Sequence, residues 1–504
     1  MKAYTKQQGC EQHFAKSNRL FEEVVGFLEE QRSDTLTHDE LERELREKGR
    51  QLLRQLFQDH LDLRAHREPR LKVVQGSDGE CRKSTEESAR KLTSVFGEVN
   101  VPRLAYRKKG QGDLHPSDCL LNLPRNKHSF ELSRLCAIES SRGSFDDAVQ
   151  AVERGTGVLV GKRQLEQNAQ EASKDFDLFY QRRAVLTAAE DVLALSCDGK
   201  GIVMLKADLR EQTRKAAEAS QHKLKTRLSK GEKRNRKRMA TIGAVFDCAP
   251  VSRTVDDIIS SPENDDSNSK KQRLVTRNKW LTASVEKESA EVICEIFDEA
   301  ERRDPNHRRR WIVLVDGACH QLDCVESEAR NRAIELHIIV DFVHVFEYLW
   351  KAAWCFYEQG SVEAEGWVYG HASAILQGES SVVAGAIRRK ATYLGLSDCE
   401  RKNADVCADY LINKRDYLCY PLALKSGWPI STGVIEGACR HLAKDRMDIT
   451  GARWSLTGAE AVLKLRALMS NDDFDNYWRF HVVQEQHRNH LTKFAGSRCP
   501  LPRK

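Results

Sequence analysis

The chain has 504 residues, of which 40% are apolar and 31% are charged, and its formal net charge is +6. This composition excludes a wholly disordered chain, and the length exceeds what one hydrophobic core usually serves, so we expect several domains. No apolar run is long enough to cross a membrane, and no secretory signal is recognisable, which predicts a cytoplasmic protein. Residues 18–66 then have helical periodicity, and residues 92–110 have the pattern of a small hairpin ending in a basic turn.

The stretch 130–170 returns to a helical pattern and contains two helical runs joined by a glycine-containing turn. This arrangement is typical of a helix-turn-helix, whose second run, beginning near Lys162 and Arg163, would lie in the major groove of DNA. Two core helices joined by a tight turn give the same pattern. The sequence alone leaves both interpretations open.

From about residue 190 the pattern changes to strands. The runs VLALSCDG, GIVMLK and MATIGAVFDC are each interpreted as strands, followed by a helix near 283–303, the strand WIVLVDG, another helix and the strand ELHIIVDF. Three antiparallel strands followed by strands that alternate with helices predict an α/β core with a ribonuclease H-like mixed sheet. Residues 343–425 have one helical pattern after another, which predicts an all-helical insertion. Residues 432–466 are predicted to form a helix, a glycine-marked turn and a second helix.

These patterns divide the chain into six predicted segments, of which the first two are mainly α-helical. In chain order they are a helical N-terminal region (1–90), a hairpin with a helix-turn-helix-like DNA-binding region (91–188), the first part of a catalytic core (189–342), the helical insertion (343–425), the final core helices (426–470) and a basic C-terminal tail (471–504). The last part of this tail, residues 487–504, is polar and basic and is expected to fray.

Three widely spaced acidic residues point to metal chemistry. Asp198 and Asp316 each follow an apolar run and precede glycine, which predicts carboxylates at strand tips, and Glu436 is predicted to lie on a helix. Two such tips with a third carboxylate form a two-metal phosphoryl-transfer site. Each residue also has a structural interpretation. Asp198 with Gly199 is a common hairpin signal, and Glu436 could form ordinary ion pairs on a solvated helix.

A basic insert lies close to the first aspartate. Residues 206–238 contain thirteen Lys or Arg against four Asp or Glu, and this excess of nine positive charges exceeds the +6 of the whole chain. Such an insert suits binding of the DNA backbone through counterion release, whereas a solvated loop is the alternative. The candidate DNA contacts beside the site are Lys200, Arg234, Arg236, Lys237 and Arg238.

Further candidates flank the third carboxylate and the last strand. Helical spacing puts Arg440 and Lys444 one and two turns beyond Glu436, so both are candidate phosphate contacts. Asp341 and His344 follow the strand ELHIIV and are assigned a supporting role, in which His344 would orient a metal ligand or contact a phosphate. The alternative is a helix N-cap aspartate with a partly buried histidine.

At these residues the sequence resembles the bacterial DDE transposases of the ISKra insertion-sequence family. The matching segments are LSCDGKGIVM, VLVDGACH, DFVHVFEYLWKAAWCF, GWPISTGVIEGACRHLAKDRMDITGARWSLTGAEAVLKLRAL and NYWRFH. Upstream, LHPSDCLLNLP and GSFDDAVQAVERGTG are also similar to that family. The resemblance runs from about residue 90 to 492, and the first 80 residues match nothing recognisable.

The resemblance implies a ribonuclease H-like catalytic domain with a helical insertion and the triad Asp198, Asp316 and Glu436. It implies dependence on two Mg2+ or Mn2+ ions, held by these carboxylates, for cleavage of element ends and their joining to target DNA. DFVH matches the Asp-x-x-His signature that follows the last strand in related transposases. The implied partners are element ends, target DNA and further copies of the chain, in the nucleoid and not at a membrane.

Two alternatives to transposition stay open. One is a metal-dependent nuclease of the same fold that cuts DNA without joining it. The other is a DNA-binding protein derived from a transposase that has lost its activity.

Overall fold

The computed structural model describes residues 13–185, 192–219, 232, 236–259, 274–449 and 451–501. The chain divides into two compact units. Unit 1 comprises the residues up to Gln181 together with those from Asp473 onward, and unit 2 comprises Arg182–Asp472.

Unit 1 is mainly helical. Its N-terminal helices are α1 (Ala15–Glu29), α2 (Gln31–Asp34) and α3 (His38–His66). Two short strands, β1 (Val74–Gln75) and β2 (Cys81–Arg82), precede an antiparallel hairpin of β3 (Ser84–Ser94) and β4 (Gly97–Arg107). The helices that follow are α4 (Pro116–Leu121), α5 (Phe130–Arg142), α6 (Phe145–Thr156), α7 (Lys162–Ala172) and α8 (Phe176–Arg182), and a C-terminal helix spans Phe474–Asn489.

Two small cores hold the first part of unit 1 together. Leu61 of α3 packs with Leu92 and Val101 of the hairpin, so the long helix lies on the two strands. The helices α5, α6 and α7 bury a separate cluster that includes Leu132, Val152 and Leu165. The predicted N-terminal helices and hairpin are therefore present, although β3 begins before residue 92.

The prediction that residues 487–504 fray is wrong for the part of that segment that the structure describes, which ends at residue 501. Residues 487–489 close the helix Phe474–Asn489, and beyond it Phe494 is 3% exposed and packs with Val74 and Tyr106. The charged composition of this segment concealed a few apolar side chains, and burying them outweighs the entropy that ordering costs.

Unit 2 contains a five-stranded mixed sheet of order β7-β6-β5-β8-β9. Its strands are β5 (Val192–Val203), β6 (Lys237–Cys248), β7 (Thr276–Ser284), β8 (Trp311–Val315) and β9 (Leu336–Val340). The strands β5, β6 and β7 are antiparallel neighbours, whereas β8 and β9 run parallel to β5. Successive residues from Leu193 to Ser196 are all buried, so both faces of the sheet are covered.

Helices connect and cover these strands. A helix α9 (Glu211–Ala219) lies in the basic insert, α10 (Ser289–Arg303) packs against the antiparallel strands, and α11 (Cys319–Arg332) connects β8 to β9 and packs against α10. The parallel strands β8 and β9 thus have the helical crossover that parallel neighbours require.

The strand predictions in unit 2 require two corrections. GIVMLK is not a separate strand, because β5 runs without a break from Val192 to Val203 and pairs with β6 on both sides of Asp198. The third antiparallel strand is instead β7, which begins at Thr276 inside a basic segment. The hairpin interpretation of Asp198 and Gly199 is also wrong, since the pairing with β6 keeps the backbone extended there.

Residues 343–425, all of which the structure describes, contain helices and no strand, as the sequence predicts. They are α12 (Phe342–Ala353), α13 (Val362–Leu376), α14 (Ser380–Tyr393), α15 (Asp398–Asn413) and α16 (Tyr420–Ser426). The chain then forms α17 (Gly433–Ala438), a π-helical turn (Cys439–Lys444), α18 (Asp445–Met447) and α19 (Leu456–Ser470). In the described part of the chain, no helix has both the length and the apolar character needed to cross a membrane.

Candidate active site

The two predicted aspartates lie on neighbouring parallel strands. The last paired residues of β5 and β8 are Ser196 and Leu314, and Asp198 and Asp316 each follow two residues later. Adjacent strands are about 4.8 Å apart, so this register brings the two carboxylates to the same edge, where β8 ends. Asp198 itself is not at a strand tip as predicted, because β5 continues past it alongside β6. Both aspartates are half-buried.

The turn after Asp316 is fixed by its backbone. Gly317 has a φ of +88°, and a Cβ atom there would lie 2.8 Å from the hydroxyl of Tyr410. Only glycine avoids both the strain and the clash. The same hydroxyl donates to the Asp316 carbonyl oxygen at 2.8 Å, and the amide of Ala318 donates to Asp316 Oδ1 at 2.9 Å. This turn therefore holds the carboxylate at the end of β8.

Glu436 lies on α17, which packs against β5 and β6. Its side chain is exposed, and no hydrogen bond or ion pair to it is recorded among the described residues. The helix then widens into the π-helical turn, which changes the predicted register of Arg440 and Lys444 relative to Glu436. Both cations are exposed, and Arg440 Nε lies 3.6 Å from Asp445 Oδ1.

Cys439 connects the helix to the first aspartate. Its Sγ donates to Asp198 Oδ2 at 3.1 Å. Burial raises the pKa of the Cys439 thiol well above its usual value, the negative charge of Asp198 and this hydrogen bond raise it further, and Glu436 adds a smaller effect in the same direction. The thiol therefore stays protonated at neutral pH and keeps its proton for the hydrogen bond to Asp198.

The thiol of Cys197 is affected by the negative charges of both aspartates. Burial raises the pKa of its thiol to about 12, with added contributions from the negative charges of Asp316 and Asp198. The register of β5 with β8 and the packing of α17 on β5 bring the three predicted carboxylates to one region. The cluster is open, however. Among the described residues, one set of three His, Cys, Asp or Glu side chains has ligand atoms within 4.8 Å of one another, and it lies in unit 1 and includes none of these carboxylates.

Asp341 has a structural role at this edge of the sheet. It is fully buried and caps α12 by accepting from the amide of Val343 at 2.9 Å, and its other oxygen accepts from the hydroxyl of Thr432. Thr432 immediately precedes α17, so Asp341 ties the end of β9 to the helix that carries Glu436. This agrees with the N-cap interpretation.

His344 is not in contact with the carboxylates. Its side chain is 39% exposed, and Nδ1 lies 3.9 Å from Glu347 Oε2 on the same helix. The structure records no bond from His344 to Asp198, Asp316 or Glu436. A role in orienting a metal ligand therefore has no support from this geometry.

The predicted DNA-contacting residues differ in how far their side chains are exposed and free to reach a phosphate. Lys200 is exposed and lies two residues beyond Asp198, on the same side of β5. Arg236 is 7% exposed, so it offers little surface to a phosphate, and Arg238 donates to the Val285 carbonyl oxygen at 2.8 Å. Lys237 is half-buried, whereas Arg234 lies outside the described residues.

A second group of side chains could hold a metal ion in unit 1. Asp175, His481 and Glu485 are buried, and one ligand atom from each lies within 4.8 Å of the others. His481 Nδ1 lies 2.7 Å from Asp175 Oδ2, and Arg488 donates to both carboxylates. The guanidinium of Arg488 therefore already supplies the positive charge that the two carboxylates need.

We expect Asp175→Asn to destabilise the protein by about 1 to 3 kcal/mol at pH 7, because it leaves Arg488 with one carboxylate instead of two. Burial opposes ionisation, but hydrogen bonds from His481 and Arg488 leave the pKa of Asp175 below its ordinary value. Its stabilising effect is thus complete above the unfolded-state pKa of about 3.9 and is lost as pH falls through the folded-state pKa.

Urea denaturation of the two proteins at several pH values checks this expectation. The difference in unfolding free energy should be constant from neutral pH to about pH 5 and shrink below about pH 4. The exposed Glu171→Gln is the control and should cost less than about 0.5 kcal/mol. If the difference in unfolding free energy grows as the pH falls, Asp175 does not stabilise the protein through its ion pair with Arg488.

Sequence reasoning missed several residues at these sites. Cys439 follows Glu436 by three residues, so helical spacing could have placed it on the same helix face as that carboxylate. His481 and Glu485 are four residues apart on one helix face, which is also visible in the sequence. Tyr410 and Thr432 carry no local signal, because only the folded chain brings them to Asp316 and Asp341.

No family model matches the chain, and a search of the curated proteins finds no match to it.

Proposed function

We propose that this protein is a DNA transposase with a ribonuclease H-like catalytic core, which binds the ends of its element, cleaves them and joins them to target DNA. One observation carries the proposal. Asp198 and Asp316 follow the last paired residues of two parallel neighbouring strands, and the helix carrying Glu436 packs on one of those strands.

The sheet supports this proposal. Its three antiparallel strands β7, β6 and β5, followed by parallel β8 and β9 on the far side of β5, have the order and directions expected of a ribonuclease H-like core. The all-helical residues between β9 and α17 correspond to the insertion that precedes the third carboxylate. The fold alone does not fix the chemistry, which depends on the carboxylates.

The donor set fits Mg2+ or Mn2+. All three side chains offer hard carboxylate oxygens, which these ions prefer. Glu436 has no recorded hydrogen-bond or ion-pair partner among the described residues, and Asp316 uses only Oδ1 for the amide of Ala318. When bound, two such ions would activate the attacking hydroxyl and stabilise the leaving oxygen.

The protein side chains around the site would orient the ligands and the DNA. Cys439 fixes Asp198 by its hydrogen bond, and Asp341 holds the start of α17 through Thr432. Lys200, exposed beside Asp198, would contact a phosphate of the strand being cut.

Binding of DNA ends is assigned to the three helices α5, α6 and α7. The third of these begins with Lys162 and Arg163, and both side chains are exposed. Lys162 pairs with Asp146 at 2.7 Å, but both partners are mostly exposed, so a phosphate would compete readily for the lysine.

Joining of a precleaved DNA end tests the proposed function. The full chain, with Mn2+ or Mg2+ and a duplex carrying the end of its element, should cleave that end and join a precleaved end to a second duplex. Cleavage without joining would identify a nuclease of the same fold. Binding without any reaction would favour a DNA-binding protein that has lost its activity.

The hydrogen bond from Cys439 gives a prediction about positioning. Cys439→Ala should lower the rate of joining about 3- to 10-fold, because a hydrogen bond from a weak thiol donor is worth about 0.5 to 1.5 kcal/mol. Cys439→Ser keeps a donor and should stay within about twofold of the parent rate. The joining rate of each variant at saturating DNA is the measurement, and equal losses in both would mean that packing, not the hydrogen bond, matters here.

A further inference from the structure

Unit 1 contains a pocket of about 500 Å3 that the catalytic proposal does not use. Its wall is formed by β3, the loop between α4 and α5, the end of α7 and the C-terminal helix with the segment beyond it. Five cationic side chains line it, namely Arg90, Arg125, Lys174, Arg488 and Lys493. The volume is in the range of small-ligand pockets, about 300 to 1,000 Å3.

Two of these cations are already neutralised. Arg488 donates to Asp175 and Glu485, and Lys174 pairs with Glu171. These contacts use the carboxylates on this side of the pocket, so neither cation is free to attract a ligand.

The other three cations have no carboxylate bound to them among the described residues. Arg90 donates instead to the main-chain carbonyl oxygens of Arg125 and Asn126, both at 2.7 Å. The carboxylate of Asp118 lines the same pocket, but Arg103 already holds it, with Nε and Oδ1 2.5 Å apart. One carboxylate therefore faces two guanidinium groups.

Arg90 is half-buried, and burial lowers the pKa of its guanidinium. Removing a cation from water without a counter-ion is unfavourable, and a bound anion offsets that cost. Arg125 and Lys493 are exposed at the same pocket and add two further charges. The excess of positive charge in the pocket is thus greatest around Arg90, Arg125 and Lys493.

Neutral groups complete a surface suited to a nucleotide. Asn126 offers an exposed amide group, while the half-buried Phe130 provides aromatic surface. Guanidinium groups bind phosphate oxygens with good geometry, and aromatic side chains stack on bases of any identity.

We infer that this pocket, which we call the phosphate pocket, binds a phosphodiester group of a DNA strand through Arg90, Arg125 and Lys493. The choice of DNA as the source of the phosphate rests on the proposed function. The pocket lies within unit 1 and contains none of the three carboxylates, so it holds the strand without taking part in cleavage.

The test measures DNA binding by the full chain carrying Asp198→Asn, so that cleavage does not interfere. The probe is a fluorescent 20-nucleotide single strand, and its anisotropy gives the affinity at several salt concentrations. The pocket variant is Arg125→Gln with Lys493→Gln. The matched control is Lys91→Gln with Lys127→Gln, because these exposed lysines lie one residue from Arg90 and two residues from Arg125 but do not line the pocket.

The pocket variant should bind about 10-fold more weakly near 0.1 M salt. The slope of the logarithm of its binding constant against the logarithm of the salt concentration should correspond to about two fewer phosphate contacts. The control should bind within about twofold of the parent. A strand with neutral methylphosphonate linkages should bind the parent and the pocket variant equally. Thermal melting of each variant confirms that the fold is retained.

Equal weakening in the pocket variant and the control would overturn the inference, because the effect would then come from general surface charge. Competition by 1 mM dAMP or inorganic phosphate that abolishes strand binding would assign the pocket to free phosphates and also overturn it. If the unsubstituted protein fails to join DNA but the pocket variant loses affinity, the proposed function is wrong and the inference about the pocket is kept. If joining occurs and the pocket variant binds DNA like the parent, only the inference about the pocket is wrong.

Discussion

Asp198→Asn is expected to lower DNA cleavage and joining at least about 1,000-fold, which corresponds to roughly 4 kcal/mol of transition-state stabilisation. The substitution keeps the shape of the side chain but removes the charge that a divalent ion requires. Asp316→Asn and Glu436→Gln should have the same effect, because each carboxylate belongs to one site. The rate of joining of a precleaved end is the measurement.

Two controls separate this effect from general loss of charge. Asp416→Asn and Glu363→Gln change exposed acidic side chains in the helical residues of unit 2 and should leave the joining rate within about twofold. DNA affinity should persist in all five variants. Cleavage that survives any one of the three site substitutions would remove that residue from the set of required ligands.

The largest stability effect is expected at Asp247 in β6. This carboxylate is completely buried and accepts from Arg309 at 2.7 Å and from Asn278 at 2.6 Å. The side chain of Arg309 is itself only 2% exposed. Asp247→Ala should therefore destabilise unit 2 by about 3 to 5 kcal/mol, because it leaves a buried cation without this carboxylate. Urea denaturation followed by the fluorescence of tryptophan residues measures the loss.

A matched control is available in the same unit. Asp409 pairs with Arg388 at the surface, with both side chains at least 40% exposed, so Asp409→Asn should cost less than about 0.5 kcal/mol. The double variant Asp247→Leu with Arg309→Met should be less destabilised than Asp247→Ala alone, because it removes both charges together. A double variant that is worse than the single one would contradict an ion-pair explanation.

Elements with strong local periodicity were predictable from the sequence. The helical stretch 18–66, the hairpin near residue 97 and the helices of 343–425 are present in the structure. The strands β8 and β9 also lie where their apolar runs predict, because a fully buried strand needs apolar residues on both faces. Their order in the sheet puts Asp316 where the sequence expects it, just after β8.

The region around Asp198 was less predictable because distant pairing decides its backbone. Asp198 with Gly199 is a hairpin signal, yet pairing with β6 carries β5 straight through it. The strand β7 was hidden by its basic start, since Thr276 to Lys279 are exposed and only the following residues are buried. The π-helical turn after Glu436 likewise has no signal in residue spacing, so the predicted alignment of Arg440 and Lys444 assumed a regular helix.

The most direct test of the central claim is the binding of Mn2+ by the complex of the full chain with DNA carrying the element's end, followed by electron paramagnetic resonance. The parent complex should bind Mn2+, the variant with Asp198→Asn, Asp316→Asn and Glu436→Gln should lose it, and His481→Ala should retain it. If the triple variant binds Mn2+ like the parent while His481→Ala loses it, the ion belongs to the group in unit 1, and the proposed active site is wrong.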